Sequence, residues 1–161
     1  MRYQFVARLL EEMHRNDNIF VLLGDLGFNL FDEMRNLYPS RCINVGASEQ
    51  LMIGMAAGLA MENKVPVCYS ITPFLIYRPF EFIRNFMQDE KLPIKLVGSG
   101  RDKDYVESGF SHFSEEVRPI LGELNNISTY FPESESEMLE IIPDFLSSSS
   151  PAFLSLRKYT L

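Results

Sequence analysis

Apolar positions along the chain fall into two alternating rhythms. Phe5, Leu9, Leu10 and Met13 recur at helical spacing, and the polar stretch 16–18 ends that helix. The run "IFVLL" (19–23) is continuously apolar and bounded by Gly24, the pattern of a strand covered on both faces. The same alternation continues to the C-terminus. Helices are predicted over 30–38, 48–61, 79–90, 115–124 and 133–146, the last with Met138, Leu139, Ile142 and Phe145 turned inward. Strands are predicted over 42–45, 65–71, 94–98, 127–131 and 152–156. Residues 99–113 are polar with interspersed glycines and read as a loop; at that length a loop in a compact domain is commonly functional or disordered. No internal repeat or interdomain linker is visible, and "SSSS" before Pro151 reads as a turn.

Strands alternating with helices at this spacing predict an α/β fold: a six-stranded, mostly parallel sheet with helices on both faces, forming a single domain over 1–161. Such sheets bind ligands at the carboxyl ends of their strands. Four segments lie there: "GDLGFN", "GASEQ", "TPFLIYRPF" and the 99–113 loop.

Composition narrows the function. The chain has 161 residues, 46% hydrophobic and 23% charged, which suits a globular domain with a substantial core. Its net charge of −7 argues against a nucleic-acid or anionic-membrane surface. No stretch approaches the roughly 20 apolar residues of a membrane span. The N-terminus mixes charged and apolar residues without a signal-peptide core. Cys42 and Cys68 lie in apolar strand-like runs and read as buried free thiols rather than a disulfide, which fits a cytoplasmic protein.

The candidate chemistry centres on "NVGASEQLMIGMAAGLAM", where Glu49 is the lone carboxylate at the mouth of a small, apolar helix. It reads either as an ordinary first-turn glutamate favoured by the helix dipole or as a proton-handling group; a carboxyl group among apolar atoms holds its proton more tightly. On their own, Phe74 and Tyr77 read as core aromatics under a loop, and Asp25 as a helix N-cap or turn residue. His112, in "SGFSHF", reads as a surface-loop histidine, whereas His14 sits in the first helix as a solvated side chain.

The dense run from 24 to 86, "GDLGFN", "YPSRCINVGASEQLMIGMAAGLAM" and "TPFLIYRPFEFIRN", resembles the pyrimidine-binding domain of the transketolase family, and a weaker likeness continues to the end. The resemblance implies thiamine diphosphate as cofactor. In that family the glutamate matching Glu49 hydrogen-bonds a ring nitrogen of the aminopyrimidine and keeps it protonated, so that the cofactor can lose its thiazolium C2 proton. The resemblance further implies that Phe74 and Tyr77 pack against the pyrimidine, that Asp25 and Leu26 lie near the cofactor at a subunit interface, and that His112 reaches the substrate's oxygens. Phe110 and Phe113 depart from the family's usual Pro and Gln around that histidine, which points to a different substrate. "SLRKY" resembles the place of a phosphate-binding arginine, with Arg157 or Lys158 as the candidate or simply a basic edge.

The Gly-Asp-Gly motif and later Asn that hold Mg²⁺ in full-length members do not occur, and "GDLG" (24–27) is not that motif. The expectation is half of an active site, with no metal ligands in this chain and with the diphosphate and Mg²⁺ held by a separate partner subunit. The assembly is then a homodimer or α₂β₂ complex, with the 48–61 helix at its centre. The implied reaction is two-carbon ketol transfer between sugars or sugar phosphates. The alternatives are decarboxylation or carboligation of a 2-keto acid on the same cofactor, or a non-catalytic partner-binding domain.

Overall fold

The computed structural model describes residues 1–158. Its elements are α1 (Arg2–Arg15), β1 (Ile19–Leu23), α2 (Asp32–Leu37), β2 (Cys42–Asn44), α3 (Glu49–Met61), β3 (Val65–Ile71) and α4 (Thr72–Tyr77). After these come the one-turn α5 (Phe80–Phe82), β4 (Lys95–Ser99), α6 (Val117–Gly122), β5 (Ser128–Tyr130), α7 (Glu135–Ser147) and β6 (Ala152–Leu156). The six strands form one sheet in the order β2-β1-β3-β4-β6-β5. Every neighbouring pair is parallel. The order reverses between β1 and β3, which opens a crevice at their carboxyl ends.

Each face of the sheet has its own core. On one face α1 and α7 cover Val21, Leu23, Val67, Tyr69, Val97 and Leu154, with Phe5, Leu9, Met13, Ile142 and Phe145 as their buried residues. On the other, α3, α4 and α6 cover Leu22, Cys68, Leu96 and Phe153. Strands sandwiched this way bury residues on both sides, so they read as continuous apolar runs rather than alternating ones. Fully buried β4 and β6 fit that rule. Cys42 and Cys68 are both free and buried, and burial pushes both thiols up, Cys42 to about 11. Among the described residues no helix is long and apolar enough to cross a membrane.

Two segments differ from the sequence expectation. The chain leaving β3 does not loop out to a helix at 79; it turns directly into α4 at Thr72. Pro73 sits in the first turn, where its missing N–H costs nothing and its fixed φ favours the helix. The helix expected over 79–90 is then α5 followed by a π-helical stretch, Ile83–Asp89. The 99–113 segment is not featureless either: it folds into two 3₁₀ turns, Val106–Ser108 and Phe110–His112.

Candidate active site

Glu49 is the first residue of α3, and the turn leading into it is short and specified. Gly46 takes φ +75°, and its carbonyl accepts the Ser48 N–H at 2.8 Å. The Glu49 side chain points inward and is only 1% exposed. Its Oε1 accepts the Ser70 hydroxyl from the end of β3 at 2.8 Å. Its Oε2 accepts Nη1 of Arg78 at 2.7 Å. The sequence expectation of a carboxyl group among apolar atoms alone therefore needs correction. A hydroxyl and a guanidinium reach it because β3 and α4 end beside the α3 N-terminus. Gly24 makes the close approach possible: a Cβ there would meet Ser70 Oγ at 2.9 Å.

Arg78 was not singled out in the sequence. Its guanidinium lies 4.0 Å from the centre of the Phe74 ring while it bonds Glu49. Phe74 and Arg78 are four residues apart in a backbone that stays helical through Arg78, so the two side chains share one face. That i,i+4 spacing was the available signal, hidden because "TPFLIYR" did not read as a helix. The other side of the cluster comes from the 3₁₀ turn after β4, which brings the His112 ring edge-on to Phe74 at 4.8 Å. Ser111 Oγ lies 3.1 Å from His112 Nδ1. The structure thus brings Glu49, Phe74 and His112, from three separate strand ends, into one chain of contacts through Arg78.

The turn bearing His112 is itself anchored. The Tyr105 ring stands 6.1 Å from that of His112, and its hydroxyl lies 2.9 Å from Ser99 Oγ and accepts from Arg2 at 3.2 Å. Gly100, at φ +83°, leaves room for that ring: a Cβ would come within 2.3 Å of it.

The other expected site residues lie apart from this cluster. Tyr77 projects to a groove it shares with Phe110, Phe113 and Ile120, and its hydroxyl donates to Glu116 at 3.3 Å. Burial and the Glu116 carboxylate push that phenol up to about 12. Asp25 has φ +56° and clasps Asn44: its N–H donates to Asn44 Oδ1 at 3.0 Å, and Asn44 Nδ2 donates back at 2.9 Å. The clasp joins the carboxyl ends of β1 and β2 next to the Glu49 turn. Leu26 packs on the α1 side of the sheet, opposite α3. Arg157 pairs with Asp102 at 3.1 Å and Asp104 at 3.4 Å, and lines a cavity of about 200 Å³ with Arg101 and Arg118. Lys158 pairs with Glu107 and lies 4.7 Å over the Tyr105 ring.

The Glu49–Phe74 pair fits an aminopyrimidine. A buried carboxylate oxygen and an aromatic face converge on a flat, cationic N–H donor, here the Arg78 guanidinium. A protonated aminopyrimidine presents the same chemistry: a plane to stack and an N–H to donate.

Comparison with known proteins gives the same frame. The transketolase pyrimidine-binding domain model matches residues 1–161. A protein of Rhodococcoides fascians described as an uncharacterized 33.6 kDa protein in the fasciation locus is 35% identical over 84% of this chain and 44% of its own. The 6-deoxy-6-sulfo-D-fructose transketolase subunit SqwH of Clostridium sp. (strain MSTE9) is 29% identical over 97% of this chain and 49% of its own. Among solved structures, a split gene transketolase in an inactive β4 tetramer superposes with a TM-score of 0.87 and 25% identity, over 99% of this chain and 51% of that one. The chain thus spans about half the length of these relatives. The chain belongs to the transketolase pyrimidine-binding domain family.

Proposed function

We propose that this family member supplies the pyrimidine-binding half of a split, thiamine-diphosphate-dependent transketolase that moves two-carbon ketol units between sugars or sugar phosphates. The observation that carries the reading is the buried Glu49 carboxylate beside the Phe74 face, already holding a planar N–H donor. When bound, the cofactor supplies a nucleophilic carbon for breaking and making carbon–carbon bonds. Glu49 holds a proton at the pyrimidine nitrogen through Oε2, while the Ser70 hydroxyl keeps Oε1 oriented. Phe74 walls the ring. His112, resting on Phe74 and partly open to solvent, faces the substrate side and donates or accepts at its oxygens. Asp25, clasped to Asn44 beside the Glu49 turn, and Leu26 next to it belong to the subunit interface rather than to the ring site, and Tyr77 serves the separate groove it shares with Phe110, Phe113 and Ile120. Phe110 and Phe113 give the His112 turn an apolar rim, which favours an acceptor with a deoxygenated or otherwise less polar end.

The diphosphate and its Mg²⁺ are held by a second polypeptide. Support comes from relatives described as transketolase subunits and from the split gene structure. Assembly as a homodimer or α₂β₂ complex has a suitable surface on α3, where Leu51 is 56% exposed, Met61 is 71% exposed, and Gly58 leaves open space above the helix backbone. A cytoplasmic setting suits two buried, unpaired thiols.

Isothermal titration of the isolated chain with thiamine diphosphate and Mg²⁺ tests the division of labour. Binding weaker than micromolar is expected, strengthening by orders of magnitude once the diphosphate-binding subunit is added. Sub-micromolar binding by the chain alone overturns it, as does a strictly monomeric mass by light scattering with the partner present.

A further inference from the structure

We infer that Arg78 is a built-in stand-in for the cofactor ring: in the free chain its guanidinium occupies the pyrimidine's place and must swing out before the ring can enter. The inference rests on the reading of Glu49 and Phe74 as the pyrimidine site. Three observations carry it. The first is chemical identity of contact. A guanidinium is planar, delocalised and cationic, and it makes the two contacts expected of a protonated aminopyrimidine, stacking on Phe74 at 4.0 Å and donating to Glu49 Oε2 at 2.7 Å. The second is exclusion, since one guanidinium and one ring cannot both stack on the same patch of Phe74 and donate along the same line to Oε2. The third is freedom to leave. Arg78 is 45% exposed although the carboxylate it pairs with is 1% exposed, so its path outward is open.

The arrangement solves a problem the free protein otherwise has. A buried carboxylate without a partner is strongly disfavoured. With Arg78 in place, Glu49 stays paired and the slot stays closed to water. Release of Arg78 alone would leave the buried Glu49 with only the neutral Ser70 hydroxyl and no counter-charge, so the guanidinium leaves most readily as another cationic N–H donor arrives. Cofactor binding is then an exchange, and its affinity is lowered by whatever the Arg78 contacts contribute. The partner subunit, by gripping the diphosphate, supplies the additional binding that drives the exchange. The freed guanidinium ends at the rim of the site as an uncommitted cation.

The test uses the whole chain and two small probes, 4-amino-2-methylpyrimidine and guanidinium chloride at millimolar concentration, with binding followed by NMR shifts of the Phe74 ring. Arg78→Ala empties the slot. The variant is expected to bind the aminopyrimidine at least tenfold tighter than wild type, and to take guanidinium that wild type ignores. Adding Glu49→Gln to Arg78→Ala should abolish both. Arg78→Met, which keeps the apolar stem and fills part of the slot, should fall between. Equal or weaker aminopyrimidine binding by Arg78→Ala overturns the stand-in while leaving Glu49 and Phe74 as a ring site. Guanidinium binding without aminopyrimidine binding overturns the ring site itself. If Arg78→Ala does not fold, Arg78→Met carries the comparison, and no gain in aminopyrimidine binding over wild type there counts against the stand-in.

Discussion

Replacing Glu49 by Gln separates proton handling from everything else that residue does. Gln keeps the length, and both contacts survive as neutral ones, its carbonyl oxygen accepting from Arg78 and its amide N–H donating to the Ser70 oxygen. What is lost is the ion pair. Arg78 is nearly half exposed and turns to water at little cost. The net stability change is thus about 1 kcal/mol, in either direction, since the desolvation of a buried carboxylate is relieved as its ion pair is lost. For a domain of this size that is a shift of roughly 2–4 °C in Tm. Catalysis behaves differently. The amide cannot hold a proton at the ring nitrogen, and loss of general acid–base assistance is typically worth about 10²–10⁴-fold, or roughly 3–5 kcal/mol of barrier. Under the proposed division of labour, in which the partner subunit grips the diphosphate, cofactor affinity changes little. The assay is the reconstituted complex: kcat for ketol transfer, deuterium exchange at the thiazolium C2 position, and Tm on the same samples. The expected pattern is a small Tm change, saturable cofactor binding, and kcat and C2 exchange both down by at least 100-fold. A folded, cofactor-saturated Gln variant that exchanges as fast as wild type would falsify the assignment and leave Glu49 as a first-turn residue of α3.

Two further perturbations test what surrounds that centre. Gly100→Ala places a Cβ within 2.3 Å of the Tyr105 ring at a left-handed backbone position, so the turn carrying His112 must shift. The expected outcome is a destabilisation of about 1–3 kcal/mol in denaturant melts, loss of the ring-current shift between Phe74 and His112, and a fall in kcat/KM with cofactor affinity retained; an unmoved His112 resonance counts against Tyr105 as the anchor. Lys95 is fully buried, donating to Ser148 O at 2.7 Å and Ser150 O at 2.6 Å, and burial pushes its ammonium down to about 8. Between that value and the ordinary one near 10.5 the unfolded chain binds a proton the folded chain does not, so this residue's contribution to stability rises with pH across the window. The raised thiols pull the opposite way in both proteins, so the difference between wild type and Lys95→Met isolates the lysine. That difference should shift in favour of wild type from pH 8 to 10.5, and a flat difference contradicts the burial argument.

Much of the scaffold was legible because it depends on local pattern. All six strands lie where apolar runs placed them, with ends moved by a residue or so, since a strand sandwiched between helix layers has no polar face to hide it. The α3 helix was legible for the same reason, being apolar almost all round with small residues where it approaches its neighbours. The stretch 72–78 was not. Thr72 and Pro73 look like a break in a sequence, yet proline is at home in a first helical turn, and here β3 runs into α4 with no loop at all. Missing that helix also hid its phase. Phe74 and Arg78 share a face while Tyr77 turns toward Glu116, so two aromatics that read as one wall serve different surfaces.

The composition of the candidate site follows from the sheet more than from any one segment. Glu49 comes after β2, Ser70 and Arg78 from β3 and its helix, and His112 after β4. In sequence these residues are 21, 29 and about 60 positions from Glu49, and no local pattern connects them. A parallel sheet connects them because every strand delivers its carboxyl end to one edge, and the reversal in strand order leaves a gap there. The pattern could therefore say which residues reach that edge but not which ones touch. Touching is decided by short-range facts: a glycine at 24 that lets Ser70 close on Glu49, a left-handed glycine at 100 that admits Tyr105, and a helical turn that folds Arg78 back over Phe74. Each of those three removes a degree of freedom from a charged or aromatic side chain. A carboxylate so constrained has one open direction left, toward the plane now filled by a guanidinium, and the chemistry assigned to this chain depends on what replaces it.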